Sequence, residues 1–166
     1  ATDAVDTGLL KVPRLDRAVE WKPAAINNLL VERRKIDELN RSTRLLTAVA
    51  ALSVSSKGFS FDTTVGGGSL TAKQVLDEQK SAPGVADLIK LNENLSAQKL
   101  RVSENDLNKQ ISGIFGQFAS AGQRGLNEAK TIKPSPPNRT DFENALRWNE
   151  EALKRLNEKL TVLGRN

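Results

Sequence analysis

The chain has 166 residues and a net charge of +5, and it contains no His, Cys, Tyr or Met. Without His and Cys it lacks the groups required by serine and cysteine catalytic triads, zinc–sulfur sites and Glu-x-x-His di-iron sites. We therefore predict a protein that is not an enzyme and that binds no metal or other cofactor.

The N-terminal residues show little apolar periodicity. We interpret residues 1–12 as a flexible arm ahead of a single helical-bundle domain, residues 13–166. No segment reaches the roughly 18 apolar residues that a membrane span needs. The start at Ala1 is compatible with a removed signal peptide, or with a lipid-bearing Cys ahead of it. We predict membrane attachment only through such a lipid anchor N-terminal to Ala1.

The first long helix is predicted over residues 24–56. Pro23 suits the first turn of a helix, where its missing N–H would have no partner. Apolar residues then recur at intervals of three, four and seven, without an intervening Gly or Pro. They are Ile26, Leu29, Leu30, Ile36, Leu39, Leu46, Val49 and Leu52. Gly58 is expected just past the end of this helix.

The segment that follows, residues 57–70, is the least helical part of the chain. Phe59 and Phe61 stand two positions apart, as in a short strand or in a loop that pins two rings. Residues 66–69, Gly-Gly-Gly-Ser, lack the Lys-Ser or Lys-Thr ending of a phosphate-binding loop and are interpreted as a flexible loop. Because binding residues concentrate on loops held by rigid frameworks, we predict that Phe59, Phe61 and Val65 contact a protein partner. The alternative, that both rings cap the end of the core, stays open.

A short helix and a second long helix are predicted next. Thr71 and Gln74 have the spacing of a capping box, which predicts a helix through Val75 and Leu76. After a break at residues 81–84, one long helix is predicted from Val85 past Ala121. Its apolar side comprises Leu88, Ile89, Leu95, Val102, Leu107, Ile111, Ile114, Phe115 and Phe118. The glycines and alanines near its end indicate a close helix contact or a kink.

The last helix follows a Pro-rich connector, residues 133–139. Thr140 and Glu143 form a second candidate capping box, and Gly164 is expected to end the helix. Leu153 and Leu156 lie on its apolar stripe, so we expect both to be buried. The predicted fold is all-α: an elongated antiparallel bundle of three long helices, with one or two short helices and the irregular mid-chain loop.

Trp148 and four pairs of carboxylates are further candidates for a functional site. Trp148 stands near the edge of its helix's apolar stripe, which suits core-edge packing or, alternatively, a partner contact. The members of each carboxylate pair lie one or two positions apart, so on a helix their side chains diverge by about 100° or more and do not build a catalytic cleft. They are Asp37/Glu38, Asp77/Glu78, Glu104/Asp106 and Glu150/Glu151. Trp148 joins the predicted partner-binding residues, and no catalytic residue is predicted.

The leading functional prediction is a non-enzymatic protein-binding or scaffold protein, exported as a periplasmic or lipoprotein component of a bacterial envelope or secretion system. A cytoplasmic helical adaptor or nucleic-acid-associated protein is the alternative, and a carboxylate- or Lys-dependent enzyme comes third. Nucleic acid is disfavoured because the densest basic group, residues 33–35, is bracketed by Glu32, Asp37 and Glu38. That pattern is typical of a solvated helix face. The identity of the partner and the oligomeric state stay open.

Overall fold

The structure is a computed structural model that describes residues 23–55, 58–61 and 70–164. Helix makes up 78% of these residues, in five α-helices, and a small two-stranded sheet accompanies them. The predicted, mostly helical class is therefore confirmed. The helices are α1 (Pro23–Ala50), α2 (Ala72–Glu78), α3 (Val85–Ser96), α4 (Glu104–Lys130) and α5 (Arg139–Gly164), and the strands are β1 (Leu52–Ser55) and β2 (Gly58–Phe61).

Some predictions fall on parts of the chain outside the described residues. These are the N-terminal arm, residues 1–12, the glycine-rich loop, residues 66–69, and the binding role of Val65. They remain predictions.

The first long helix ends six residues earlier than predicted, at Ala50 rather than at residue 56. Leu52 continues the helical spacing from Leu46 and Val49, but it also begins an alternation of apolar and Ser residues that suits a strand. This segment pairs antiparallel with β2, so that Leu52 lies opposite Phe61. Lys159 of α5 donates to the carbonyl oxygens of Ala50 and Leu52, which satisfies acceptors at the end of α1.

The predicted single helix from Val85 past Ala121 is wrong, because α3 ends at Ser96 and α4 begins at Glu104. Gln98 adopts a left-handed conformation, with φ of 57°, and turns the chain away from the axis of α3. Ser103 then caps α4, since its hydroxyl oxygen accepts the N–H of Asp106 at 3.2 Å. The sequence signal for a helix start here is Ser103, followed by Glu104 and Asp106 in the first turn of α4.

The short helix α2 follows its sequence signal. The hydroxyl oxygen of Thr71 accepts the N–H of Gln74 at 3.2 Å, and the side chain of Gln74 accepts the N–H of Thr71 at 2.7 Å. The predicted capping box is thus confirmed.

The second predicted capping box, at Thr140 and Glu143, does not form the start of α5. That helix begins at Arg139, directly after a 3₁₀ turn at Pro136–Asn138. Glu32 of α1 lies at this start, 6% exposed, and its carboxylate accepts the N–H of Ser135 at 2.8 Å. A residue about 100 positions away therefore takes the place of a local cap.

Helices α1 and α5 lie side by side in the same direction. Arg33, in the first half of α1, pairs with Asp141 near the start of α5 at 3.3 Å, and Lys159 reaches the carbonyl of Ala50 at the C-terminal end of α1. Helix α4 runs the other way, because Lys35 pairs with Glu128 whereas Leu46, further along α1, lies next to Gly122.

The core lies where α1, α3, α4 and α5 meet, beneath the two-stranded sheet. Leu153 is 5% exposed and Leu156 is fully buried, so the predicted burial of both is confirmed. The largest fully buried side chains are Phe115, Phe142, Ile36, Leu46, Leu52, Leu76, Leu88, Leu107, Ile111 and Leu156.

Candidate functional site

Phe59 lies on β2, which is held against α3. Its backbone N–H donates to the side-chain carbonyl of Asn92 at 2.6 Å, and its ring packs partly buried against the core. The neighbouring Gly58 has φ of +129°, and a Cβ atom there would lie 2.7 Å from the Ser96 hydroxyl. Only glycine fits this position without a shift, so β2 approaches α3 more closely than another residue would allow.

Phe61 is also partly buried, between the main core and a smaller apolar cluster of Ala48, Ala72 and Val75. Both predicted aromatic residues therefore contact the core on one side and keep some exposed surface on the other. This packing fits the idea that the rings cap the core, and a partner contact at Phe59 and Phe61 stays a prediction.

Trp148 is 48% exposed on α5, and it is the only strongly exposed aromatic residue in the described part of the chain. Its neighbour Asn149 donates to the carbonyl of Leu39, whereas Lys159 reaches Leu52 at the start of the hairpin. About 15 Å of α5 separates these two levels. The structure therefore does not bring Trp148 together with Phe59 and Phe61.

A groove between α1 and α4 was not predicted from the sequence. It has a volume of about 490 Å³. Its apolar lining comprises Leu45, Leu46, Pro83, Phe118, Ala121, Gly122 and Gly125, and its polar lining comprises Glu38, Arg41, Ser42 and Gln79. The only sequence signal for it was the run of small residues late in α4, which was interpreted as a close contact or a kink.

The small residues of α4 have two different effects. A methyl group added at Gly122 would lie 3.0 Å from Leu46, so this glycine is a close helix contact. One added at Gly125 would meet nothing within 4 Å, so that position opens the groove. Helix α4 continues through both glycines without a break.

Ion pairs lie beside the groove, at its residue Glu38. The largely buried Lys35 of α1 binds Glu38 at 2.9 Å and reaches Glu128 of α4 at 3.1 Å. Burial by itself would lower the pKa of Lys35, but the hydrogen bonds and charges of Glu38 and Glu128 outweigh it. The pKa of Lys35 is therefore raised above its ordinary value.

Gln79 and Pro83, which follow α2, also line the groove. The side-chain amide of Gln79 donates to the carbonyl of Arg41 at 3.2 Å. Arg41 lines both the groove and a smaller hollow beside it, where Arg44 pairs with Glu78 at 2.9 Å. Of the cations that line these two hollows, Arg41 alone has no carboxylate partner among the described residues.

Within the described residues, no cluster of acidic side chains has the arrangement needed to hold a metal ion. In the same part of the chain, no helix is both long and apolar enough to cross a membrane. Comparisons of the chain with protein-family models, curated proteins and solved structures gave no match.

Proposed function

We propose that this chain is a non-enzymatic protein that binds or scaffolds another protein through side chains displayed on its helices. The observation that carries the proposal is the exposure of Trp148. The other aromatic residue of α5, Phe142, is 1% exposed, whereas Trp148 leaves about half of its surface accessible to solvent. Exposed tryptophan on a rigid element is enriched at the energetic centres of protein interfaces.

The test replaces Trp148 with Ser and measures recovery of partners from native extract by mass spectrometry. Val162→Ser is a matched control, because Val162 is 61% exposed on the same helix. We expect Trp148→Ser to lose a partner that Val162→Ser keeps, with both variants as stable as the parent protein. Equal recovery by a folded Trp148→Ser variant would contradict the proposal for this surface.

The proposal includes the framework that displays this residue: α1, α4 and α5 act as one elongated antiparallel bundle. Its support is the direction of α4, opposite to that of α1 and α5. Paired spin labels test it, since a label at Arg34 should lie closer to one at Asn127 than to one at Lys109. The reverse order of distances would contradict the bundle.

The cellular location belongs to the same proposal, as a periplasmic or envelope-associated protein. Fractionation of native cells, followed by detection of the full chain, tests this location. Recovery in the cytoplasmic fraction alone would favour a cytoplasmic adaptor instead.

A further inference from the structure

Helix α4 extends past the end of α5. The two helices run in opposite directions, and Lys130, at the C-terminal end of α4, pairs with Glu150 at 3.3 Å. From Glu150, α5 continues for 14 residues to Gly164. The same distance back along α4 from Lys130 leads to Gly116. Since both helices rise by about 1.5 Å per residue, residues 104–115 lie beyond the end of α5.

Helix α1 ends at about the same level as α5. Leu46 lies beside Gly122 of α4, and α1 ends four residues later, at Ala50. Yet Leu107 and Ile111, in the N-terminal half of α4, are 1% and 0% exposed. Elements other than these two long helices therefore cover the N-terminal half of α4.

Helix α3, beside the two-stranded sheet, provides that cover. It begins next to Ile114 and Phe118, which a Cβ atom at Gly84 would meet at 3.6 and 3.5 Å. The chain then returns to the start of α4 through residues 97–103. The buried residues of α3 belong to the same apolar cluster as those of α4. They are Val85, Leu88, Leu91 and Leu95.

Polar contacts tie the three long helices together. We call α1, α5 and residues 116–130 of α4 the frame. Ion pairs and a buried hydrogen bond link the helices of the frame to one another. These contacts are Arg33–Asp141, Lys35–Glu128, Lys130–Glu150 and the amide of Asn149 with the carbonyl of Leu39.

Helix α3 lacks such ties to the frame. In the part of the chain that the structure describes, its charged residues Asp87, Lys90 and Glu93 form no ion pair. Its one side-chain hydrogen bond to another described element is at Asn92, which accepts the Phe59 N–H of β2 at 2.6 Å. Apolar packing and this single hydrogen bond therefore hold α3 in place.

Both ends of α3 are joined to the chain by residues with positive φ. Gly84, before the helix, has φ of 86°, and Gln98, after it, has φ of 57°. Hinges are made of a few such residues at the ends of elements, which absorb changes in φ and ψ.

We infer that α3 is a lid, which opens as a unit about Gly84 and Gln98 while the frame stays folded. Opening breaks its hydrogen bond to β2 and uncovers Leu107 and Ile111 of α4. A detached helix of 12 residues does not keep its own hydrogen bonds in water, so the amides of α3 exchange with solvent when the lid opens. The inference is independent of the proposed protein-binding function, because Trp148 belongs to the frame.

Native-state hydrogen exchange of the full chain tests the opening, because each cooperative unit exchanges at a rate set by its own opening equilibrium. After correction for intrinsic rates, we expect the amides of Leu91 and Leu95 to exchange at least about a hundredfold faster than those of Leu153 and Leu156 in α5. Below the unfolding transition, urea should accelerate the lid amides together, with a smaller slope than the α5 amides.

Lys90→Gly in the lid and Lys154→Gly in the frame are matched variants, since both lysines are exposed in the interior of a helix. The frame is folded in both the closed and the open state. Lys154→Gly should therefore accelerate the α5 amides about threefold and leave the lid amides unchanged. Lys90→Gly weakens the closed state alone, so it should accelerate both sets by about the same threefold factor.

Three outcomes would overturn the inference. Equal exchange of the lid and α5 amides in the parent protein would show that the molecule opens as one cooperative unit. Acceleration of the lid amides by Lys154→Gly would show the same. Lid amides whose exchange does not respond to urea would show local fluctuations of single residues in place of an opening helix.

Discussion

Glu32 shows how a single side chain sets the start of a distant helix. Both of its oxygens accept the N–H of Ser135, and it also accepts the Ser135 hydroxyl at 2.8 Å and the Asn138 amide at 3.1 Å. Pro136 and Pro137 have no N–H to donate, whereas the backbone N–H of Asn138 donates to the Ser135 carbonyl at 3.0 Å. A negative charge at a helix N-terminus is also favoured by the helix dipole.

Removal of this carboxylate is expected to destabilise the protein. Glu32→Ala leaves the partly buried donors of Ser135 and the buried amide of Asn138 unpaired, and hydrogen bonds to a charged group contribute about 1.5–3 kcal/mol. We expect a loss of about 2–3 kcal/mol in the free energy of unfolding, measured by urea denaturation. Glu143→Ala, at an exposed position of α5, should stay within about 0.5 kcal/mol. A loss that small for Glu32→Ala would contradict a capping role.

The raised pKa of Lys35 predicts that the stability of the folded protein depends on pH in the alkaline range. Its pKa in the folded protein is raised above the ordinary value of 10.5, so the folded state favours the charged form. The stabilisation is complete below that ordinary value and is lost as the pH rises through the higher folded value.

The measurement is the difference in unfolding free energy between the parent protein and Lys35→Met across the pH range. We expect a steady difference from about pH 7 to about pH 9.5 and a decrease above the ordinary lysine value. Lys109→Met, at an exposed position of α4, is the control and should show no comparable decrease. A Lys35 difference that persists unchanged at the alkaline end would contradict the raised pKa.

Asn149 is fully buried between α1 and α5. Its amide nitrogen donates to the Leu39 carbonyl at 3.3 Å and to the Thr43 hydroxyl at 3.4 Å, while its amide oxygen has no partner among the described residues. A buried amide of this kind costs stability but penalises other registers, in which it would have fewer partners. The polar contact therefore favours the observed alignment of the two parallel helices.

Within the single helix α4, Gly122 and Gly125 have different surroundings. Gly122 lies against Leu46 in the core, whereas Gly125 borders open space. Glycine in a helix is less favourable than alanine by about 0.8–1 kcal/mol. The same substitution should therefore have different effects three residues apart.

Gly125→Ala is expected to stabilise the protein by about 0.5–1 kcal/mol, because it gains helix propensity without a clash. Gly122→Ala should be about 1 kcal/mol less stable than Gly125→Ala, because the new methyl presses on Leu46 in a packed core. Chemical denaturation of both variants measures the difference. Equal gains would contradict the close α1–α4 contact at Gly122.

At the scale of the whole molecule, charge is spread along the chain and largely compensated. The 25 Lys and Arg residues are interleaved with 20 Asp and Glu residues. The ion pairs Lys35–Glu128 and Lys130–Glu150 link different helices at 3.1 and 3.3 Å. Phosphate binding depends on several cations free to neutralise neighbouring charges on the nucleic acid.

We therefore expect only weak, sequence-independent binding to DNA or RNA, lost as salt is raised. Fluorescence anisotropy with labelled duplex and single-stranded probes tests this at physiological ionic strength. Dissociation constants above about 1 µM are expected, close to the non-specific range. Submicromolar binding to either probe would instead support a nucleic-acid-associated protein.

Local periodicity in the sequence determined the helical class, the buried stripe of Leu153 and Leu156, and the start of α2 at Thr71. These features follow from contacts between residues three or four positions apart, which a single helix satisfies by itself. For Phe59 and Phe61 the sequence allows either a short strand or a loop, because so short an alternation of apolar and polar residues does not distinguish the two.

The end of α1, the start of α5 and the groove were decided only by the tertiary structure. Lys159 lies 107 positions from Leu52, and Glu32 lies 103 positions from Ser135. Helix propensities and capping patterns depend only on residues close together in the sequence, so they carry no information about partners this distant. For this reason the sequence wrongly predicted a cap at Thr140 and a helical Leu52. The groove arises because Gly125 faces open space beside α1 while Gly122 meets Leu46. Two glycines with the same intrinsic propensity differ only in what the fold packs against them.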